Sequence, residues 1–132
     1  MSEKKGSTEQ RTVEQGIENM LTYHQSNPIE NLIELPPLRE TPGYRIVRGN
    51  PRAFIRFDMG GSPDLLKLGI WSCTEGAFEC IEGGDELQTI ISGRLRIIES
   101  DGTTHEFGAG DSFFTRKGER IVWDIIERVE KV

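Results

Sequence analysis

Short apolar segments separated by turn residues occupy the chain from residue 44 onward. Within Arg94–Ile97, for example, polar and apolar side chains alternate, which is typical of a strand with one solvated face. No stretch after residue 44 shows the spacing of a long amphipathic helix. The pattern therefore predicts an all-β domain, either a sandwich or a barrel.

Turn residues divide this region into candidate strands. Thr74–Ala77 separates two apolar segments, Leu65–Cys73 and Phe78–Glu82, and is predicted to close a hairpin between them. Asp101-Gly102 is the strongest hairpin signal, because glycine adopts the positive φ that a type I′ turn requires. The other predicted strands are Glu86–Ser92 and Arg94–Glu99, which meet near Gly93, and Phe113-Phe114 and Ile121–Ile126 on either side of the turn Arg116–Gly118.

The chain before this region has a different character. Apolar residues recur at helical spacing after the N-cap candidate Ser7, and Asn27-Pro28 ends the pattern, so a helix is predicted over about residues 8–25. Ile29–Leu35 is predicted to be extended up to Pro36-Pro37. Its apolar side chains need a surface to cover, either on the same chain or on a partner subunit.

The length of 132 residues suits one domain, which we place at residues 41–132 after a leader of residues 1–40. The net charge is −6, from 16 Lys and Arg against 22 Asp and Glu, so no nucleic acid partner is expected. No apolar run reaches the ~20 residues that span a bilayer, and Met1–Lys5 has no apolar core of a signal peptide. These features predict a cytoplasmic protein without membrane contact, in which Cys73 and Cys80 are free thiols.

Several short motifs that contain glycine follow one another in the order of the cupin double motif. The first runs from Glu86 over six intervening residues to Gly93, the second is Gly108–Phe113, and a turn follows at Gly118. Together with Arg48–Pro51, Gly69–Gly76 and Val122-Trp123 they resemble the small single-domain cupins related to the cupin domain of (S)-ureidoglycine aminohydrolase. The resemblance covers residues 44–132 and implies a double-sheet jelly-roll barrel of the RmlC-like type.

Other residue types occupy the places of the metal ligands that the resemblance implies. Alignment on the glycines puts Cys80, Glu82 and Ile121 at the usual histidine places and Glu86 at the usual glutamate. A thiol and carboxylates prefer different metals, and isoleucine has no donor atom, so no tightly bound transition metal is expected. A weakly held Mg²⁺ or Mn²⁺ on Glu82, Glu86 and Gln88 remains open, because these cations accept oxygen ligands.

Strand alternation indicates which side chains share the barrel interior. Residues of equal parity point the same way, so Cys80 and Glu82 share a face with Phe78, and Glu86 shares one with Gln88. The predicted hairpin and the last strand supply the remaining walls. The predicted site is a cavity with two carboxylates, lined by Trp71, Cys73, Phe78, Cys80, Gln88, Ile121 and Trp123.

Each of these residues also has a purely structural interpretation. Trp71 and Trp123 suit a core as well as a stacking surface, and the cysteines suit inert buried thiols. If Glu82 and Glu86 face inward together, one pKa rises and acid or base chemistry is favoured. If instead Gly83–Asp85 is a solvated loop, both acids face water.

Two main classes of function follow, with a third in reserve. The first is a cupin that binds a small polar metabolite in the barrel, without a metal and without catalysis. The second is an enzyme of hydrolase or lyase type that acts on a small nitrogen-containing metabolite, with Glu82 and Glu86 as catalytic residues. The third is an accessory partner of another enzyme. A homodimer is expected, because unpaired strand edges invite a second chain. His105 is interpreted as an exposed strand residue, and Glu127–Lys131 as a solvated strand edge.

Overall fold

A computed structural model describes residues 20–132, which contain nine β-strands and one short 3₁₀ helix. The strands form where β-branched and aromatic side chains are frequent, since these fit a pleated sheet. In chain order they are β1 Ile33–Glu34, β2 Arg45–Arg48, β3 Ala53–Met59, β4 Leu68–Cys73, β5 Gly76–Ile81, β6 Glu86–Glu99, β7 Thr104–Gly108, β8 Ser112–Thr115 and β9 Arg120–Lys131. The 3₁₀ helix, Leu38–Glu40, lies between β1 and β2.

The strands curl into a double-sheet jelly-roll barrel, as the sequence predicts. One path runs in the order β1-β3-β4-β9-β5-β2, and β6 pairs with β7, β8 and β9. The two longest strands, β6 and β9, are antiparallel from the pair Ile90 and Lys131 to the pair Glu99 and Ile121. They form the spine to which the other elements attach.

Side chains from facing strands fill the interior. Most of the fully buried residues come from β5, β6 and β9, so the predicted site residues on these strands are held by close packing. The buried cluster consists of Leu38, Ala53, Cys73, Phe78, Cys80, Ile90, Leu95, Ile97, Ile121, Trp123, Ile125 and Val129.

The hairpin predicted at Thr74–Ala77 is wrong. β4 and β5 do not pair with each other, because both pair with β9, one after the other: Cys73 lies opposite Val129, and Gly76 lies opposite Ile125. The intervening residues form a bend between β4 and β5, which lie one after the other along the same edge of β9. At this bend, Glu75 Oε2 accepts a hydrogen bond from the backbone N–H of Arg128 at 3.0 Å. An irregularity within a strand and a hairpin turn carry similar residues, so local signals did not separate them.

Gly93 likewise lies inside one strand and does not separate two. β6 is continuous over Glu86–Glu99, and Gly93 has a φ of +91°. A Cβ at this position would lie 2.0 Å from the carbonyl oxygen of Arg128. Only glycine therefore permits the close approach of β9 at this point, where the register between β6 and β9 shifts between Ser92 and Arg94.

The hairpin at Asp101-Gly102 is confirmed, with Ile98 paired to Thr104 across it. Gly102 has a φ of +91°, but Asp101 is not among the described residues with positive φ. The turn is therefore not of type I′, which needs positive φ at both central residues.

The leader, as far as it is described, lies against its own barrel. β1 pairs with β3, Leu38 is buried in the core, and Leu35 packs against it. Residues 8–19 of the predicted helix lie outside the described residues, and residues 20–24 have no regular secondary structure. Tyr23 donates a hydrogen bond to Asp58 at 2.6 Å. Within residues 20–132, no helix is long and apolar enough to cross a membrane.

Candidate binding site

An aromatic cluster occupies the barrel interior between β4, β5, β8 and β9. Phe78 and Trp123 stack with an interplanar angle of 7°, and Trp71 lies 5.4 Å from Trp123 between ring centroids. Tyr44 and Phe113 extend the cluster on either side, at 5.6 Å from Phe78 and 5.8 Å from Trp123. Trp71 and Phe78 are thus brought together as predicted, but through their common neighbour β9 and not through a hairpin.

Glu82 faces the interior from the end of β5. Its backbone is held by two hydrogen bonds of 2.8 Å, one with Glu119 and one with Gly118. Its carboxylate accepts hydrogen bonds from Trp123 Nε1 at 3.0 Å and from Cys80 Sγ at 3.4 Å. The thiol and the indole therefore hold this carboxylate in one orientation.

A chain of polar side chains links Glu82 to β6. The Thr115 hydroxyl donates to Glu82 Oε1 at 3.4 Å and accepts a hydrogen bond from Gln88 Nε2 at 2.9 Å. Gln88 is fully buried, and its Oε1 atom has no hydrogen-bond partner among the described residues. A buried acceptor without a donor is costly, so the packing around Gln88 carries this cost.

Glu86 forms an ion pair with a residue that the sequence analysis had placed in solvent. Lys131 Nζ lies 3.2 Å from Glu86 Oε2, and the lysine side chain is only 7% exposed. The ammonium also lies 5.1 Å from the ring centroid of Trp71 and 5.7 Å from that of Trp123. The solvated strand edge predicted at Glu127–Lys131 is therefore wrong for Lys131.

Burial explains the charge states of the surrounding groups. It lowers the pKa of Lys131, against the opposing attraction of Glu86. Burial also raises the pKa of Tyr44 to about 12 and that of Cys73 to about 12, and it raises the pKa of Cys80, where the charge of Glu82 adds to the effect. Both thiols are free and protonated near neutral pH.

Lys131 was detectable in the sequence. The odd-numbered alternation that puts Trp123 and Ile125 inside is interrupted at the exposed Glu127 and resumes at Val129 and Lys131, which are both buried. The charge of the residues around Lys131 obscured this signal, and its partner Glu86 is 45 positions away.

The residues at the usual metal-ligand places do not fit a transition metal. Cys80 is a protonated thiol bonded to Glu82, Ile121 lies opposite it without a donor atom, and Glu86 is bonded to an ammonium group. Within the described part of the chain, no three His, Cys, Asp or Glu side chains form a group able to hold a metal ion. Of the proposed oxygen ligands for a weakly bound cation, Glu82 and Glu86 already accept protein donors.

Open space occurs beside this polar chain, at the mouth of the barrel. A cleft of about 270 Å³ reaches Thr115, whose hydroxyl contacts Glu82. Ile121 is the one predicted pocket residue that lines it. His105 also lines the cleft, and its side chain bonds Glu99 at 2.5 Å. The sequence pattern predicts an exposed strand residue here but does not predict that it borders the cleft. The lining consists of Ile97, Glu99, His105, Phe107, Phe113, Phe114, Thr115, Glu119 and Ile121.

The other predicted site residues lie away from this cleft. Trp71, Phe78, Cys80 and Trp123 belong to the packed interior, and Cys73 is in the same cluster. Three apolar residues on separate predicted strands, Ile97, Phe107 and Phe113, could have identified the cleft. To use this signal, one would need to know that β7 and β8 both pair with β6.

Comparisons with known proteins agree with the architecture. The Clostridium difficile EutQ structure is 24% identical, with a TM-score of 0.54 over 61% of this chain and 64% of that chain, so this chain spans less than two thirds of its length. A putative ethanolamine utilization protein Q from Salmonella typhimurium is 20% identical, with a TM-score of 0.51 over 63% and 66% of the two chains. A Pseudomonas syringae protein of unknown function is 21% identical, with a TM-score of 0.62 over 78% and 43%. Comparison with curated protein sequences found no significant match.

The structural likenesses establish the fold, and a sequence match establishes the family. The model of the EutQ-like cupin domain matches residues 63–132, which is more than half of the chain and includes both β6 and β9. The matched segment contains Glu86, Gly93 and Gly108–Phe113 of the cupin double motif, whereas Arg48–Pro51 lies before it. The chain therefore belongs to the EutQ-like cupin domain family.

Proposed function

We propose that this cupin binds a small polar metabolite at the mouth of its barrel, without a metal and without a required chemical step. The observation that carries the proposal is the cleft of about 270 Å³, which is lined by apolar side chains, by Glu99 and Glu119, and by Thr115, whose hydroxyl contacts Glu82. Ligand sites combine apolar walls with a few placed polar groups, and this cleft has that composition.

The polar groups favour a ligand that donates hydrogen bonds. The carboxylates of Glu99 and Glu119 line the cleft as acceptors, and Glu82 lies behind Thr115. A nitrogen-containing metabolite supplies N–H donors to such a set. Ile97, Phe107 and Ile121 provide the apolar surface against which its carbon atoms would lie.

The binding proposal is tested by saturation-transfer NMR with a panel of small amines, amides, ureas and carboxylic acids. We expect at least one member to bind and Thr115→Val to weaken it by about tenfold, because the variant removes one hydroxyl at similar side-chain volume. Thr104→Val on β7 is the matched control, since Thr104 is exposed outside the cleft. The proposal fails if no member binds, or if Thr115→Val and Thr104→Val have equal effects.

An enzyme related to (S)-ureidoglycine aminohydrolase is the second candidate, and the Glu86–Lys131 pair is the observation that favours it. A half-exposed carboxylate beside a buried amine is an arrangement that can exchange a proton with a bound substrate. In this candidate Glu86 acts as acid or base and Glu82 orients the substrate.

The enzyme candidate is tested by measuring ammonia release from (S)-ureidoglycine. Glu86→Gln is expected to lower the turnover at least about 100-fold if Glu86 transfers a proton. Glu79→Gln serves as the control, because Glu79 contacts Arg45 on β2. Unchanged turnover in Glu86→Gln, or no turnover by the native protein, would remove this candidate and leave the binding proposal standing.

A further inference from the structure

We infer that the ligand of the barrel mouth is an organic cation, an ammonium group attached to a small apolar body. The inference rests on the proposed binding function and adds the chemical class of the ligand. It follows from the charges that border the cleft, the aromatic rings of its wall and a neighbouring hollow that shares its acidic residues.

Acidic residues dominate the charged lining of the cleft. Glu99 and Glu119 line it, and no Lys or Arg is among its lining residues. The one other titratable group there is His105, bonded to Glu99. Arg116 lies outside the lining, 5.8 Å from the ring of Phe114. Glu82 adds a third negative charge behind Thr115.

A second hollow of about 290 Å³ adjoins the cleft and continues its acidic wall. Glu99, Glu119 and Ile121 line both spaces. The second hollow also contains Asp101 as well as Arg120, whose guanidinium lies 3.8 Å from Glu79. The two shared carboxylates therefore lie between the cleft and the second hollow, so a cation in either space is attracted by both of them.

Aromatic rings form the second part of the cleft lining, beside the acidic residues. Phe107 and Phe113 stack with centroids 4.3 Å apart, and the His105 ring stacks on Phe107 at 6.1 Å. Phe114, which is 52% exposed, completes the aromatic lining at the rim. The faces of aromatic rings carry partial negative charge and attract ammonium groups. Stacking occupies the faces between Phe107, Phe113 and His105, so the ring open to a ligand cation is the exposed Phe114, which already has the Arg116 guanidinium 5.8 Å from its centroid. The carbon surface of Phe107 and Phe113 accepts the apolar part of the same ligand.

These features disfavour the other ligand charges. An anion placed here would lie against Glu99 and Glu119 without a lysine or arginine of the cleft lining to offset them. A neutral ligand would gain the apolar contact but not the electrostatic attraction. Partial enclosure by the barrel strengthens this discrimination, because fewer water molecules screen the charges.

Two isosteric pairs test the inference by titration against the full-length protein, followed by aromatic resonances in NMR spectra. Choline is compared with 3,3-dimethylbutan-1-ol, and butylammonium with butan-1-ol. We expect at least one cation to bind at least about fivefold more tightly than its neutral counterpart, and its affinity to fall as salt is raised. Shifts should map to Phe107 and Phe113.

Charge-removing variants locate the effect. Glu99→Gln and Glu119→Gln are each expected to weaken cation binding by about fivefold, while Glu106→Gln is the control, because Glu106 pairs with Arg96 outside the cleft. Any Glu variant that fails to fold is replaced by the salt titration of the native protein, which reports the same attraction.

The outcomes separate the inference from the function beneath it. If neither cation outbinds its neutral counterpart while other members of the panel bind in a Thr115-dependent way, the inference is overturned and the binding function stands. If no probe and no panel member binds, both fail. If a cation binds but Glu99→Gln and Glu119→Gln leave its affinity unchanged, the inference is also overturned.

Discussion

Lys131 is buried, which disfavours its charged form, but it has an ion-pair partner in Glu86. Its amine is removed from water between the rings of Trp71 and Trp123, where Glu86 forms an ion pair with it and Glu82 adds a weaker attraction. Removing a charge from water is expensive, and one half-exposed carboxylate offsets that cost only in part. The net result is the lowered pKa of the lysine.

The pH dependence of stability should reveal this residue. Since folding lowers the pKa of Lys131, the unfolded chain binds more protons between the folded pKa and 10.5, so the stability contribution rises with pH across that window. The free energy of unfolding of the native protein should gain on that of Lys131→Met by up to about 1.4 kcal/mol per unit of pKa lowering as the pH increases.

Urea unfolding of both proteins from pH 7 to pH 10.5 measures this difference. Methionine keeps the packing of the side chain without the amine. Tyr44 and the two cysteines have raised pKa values, which destabilise both proteins equally as the pH rises, so the comparison isolates Lys131. Parallel curves for the two proteins would contradict the lowered pKa.

At the scale of the elements, β6 is the strand on which the barrel depends. It pairs with β8 over its first four residues, with β9 from Ile90 onward and with β7 over Arg94–Ile98. Gly93 lies where the register with β9 shifts, directly before the pairing with β7 begins, and the backbone of β9 comes close there. A strand that serves two sheets must bend, and a glycine at positive φ permits the bend.

Gly93→Ala should be severely destabilising. The added methyl group would meet the Arg128 carbonyl at 2.0 Å, and the φ of +91° adds strain, so a loss of more than about 3 kcal/mol in the free energy of unfolding is expected. Gly102→Ala is the matched control. It has the same φ with nothing within 4 Å, so we expect it to lose only about 1 kcal/mol.

Denaturant unfolding of both variants decides between backbone strain and steric contact. If the two variants lose equal free energies of unfolding, the positive φ alone accounts for the loss in Gly93→Ala. The proposed clash with β9 would then be rejected. A smaller loss for Gly93→Ala would show that β9 can move away from β6.

At the scale of the whole molecule, one exposed apolar surface favours a second copy of the chain. Leu87 on β6 and Phe114 on β8 lie opposite each other, and they are 68% and 52% exposed. Within the described residues, β8 pairs only with β6, so its other edge remains open. We therefore expect a homodimer in which this edge and the Leu87 side chain are covered.

Light scattering coupled to size-exclusion chromatography measures the predicted dimer. The native protein should have twice the mass of one chain, and Leu87→Glu should shift it to the monomer, because the change places a charge in an apolar contact. Leu65→Glu is the control, since Leu65 is fully exposed in the β3–β4 connection. A native monomer, or a dimer that persists in Leu87→Glu, would contradict the expectation.

By itself, the sequence determined the class of the fold and the hairpin at Asp101-Gly102, whereas it left open whether Glu82 faces inward. Alternation and turn chemistry act over a few residues, so they can be read locally. Only the tertiary structure decided that β4 and β5 follow β9 in succession, that Lys131 reaches Glu86, and that open space lies beside Thr115. These facts depend on contacts between segments far apart in the chain, and short-range patterns do not encode which distant strand will be the neighbour.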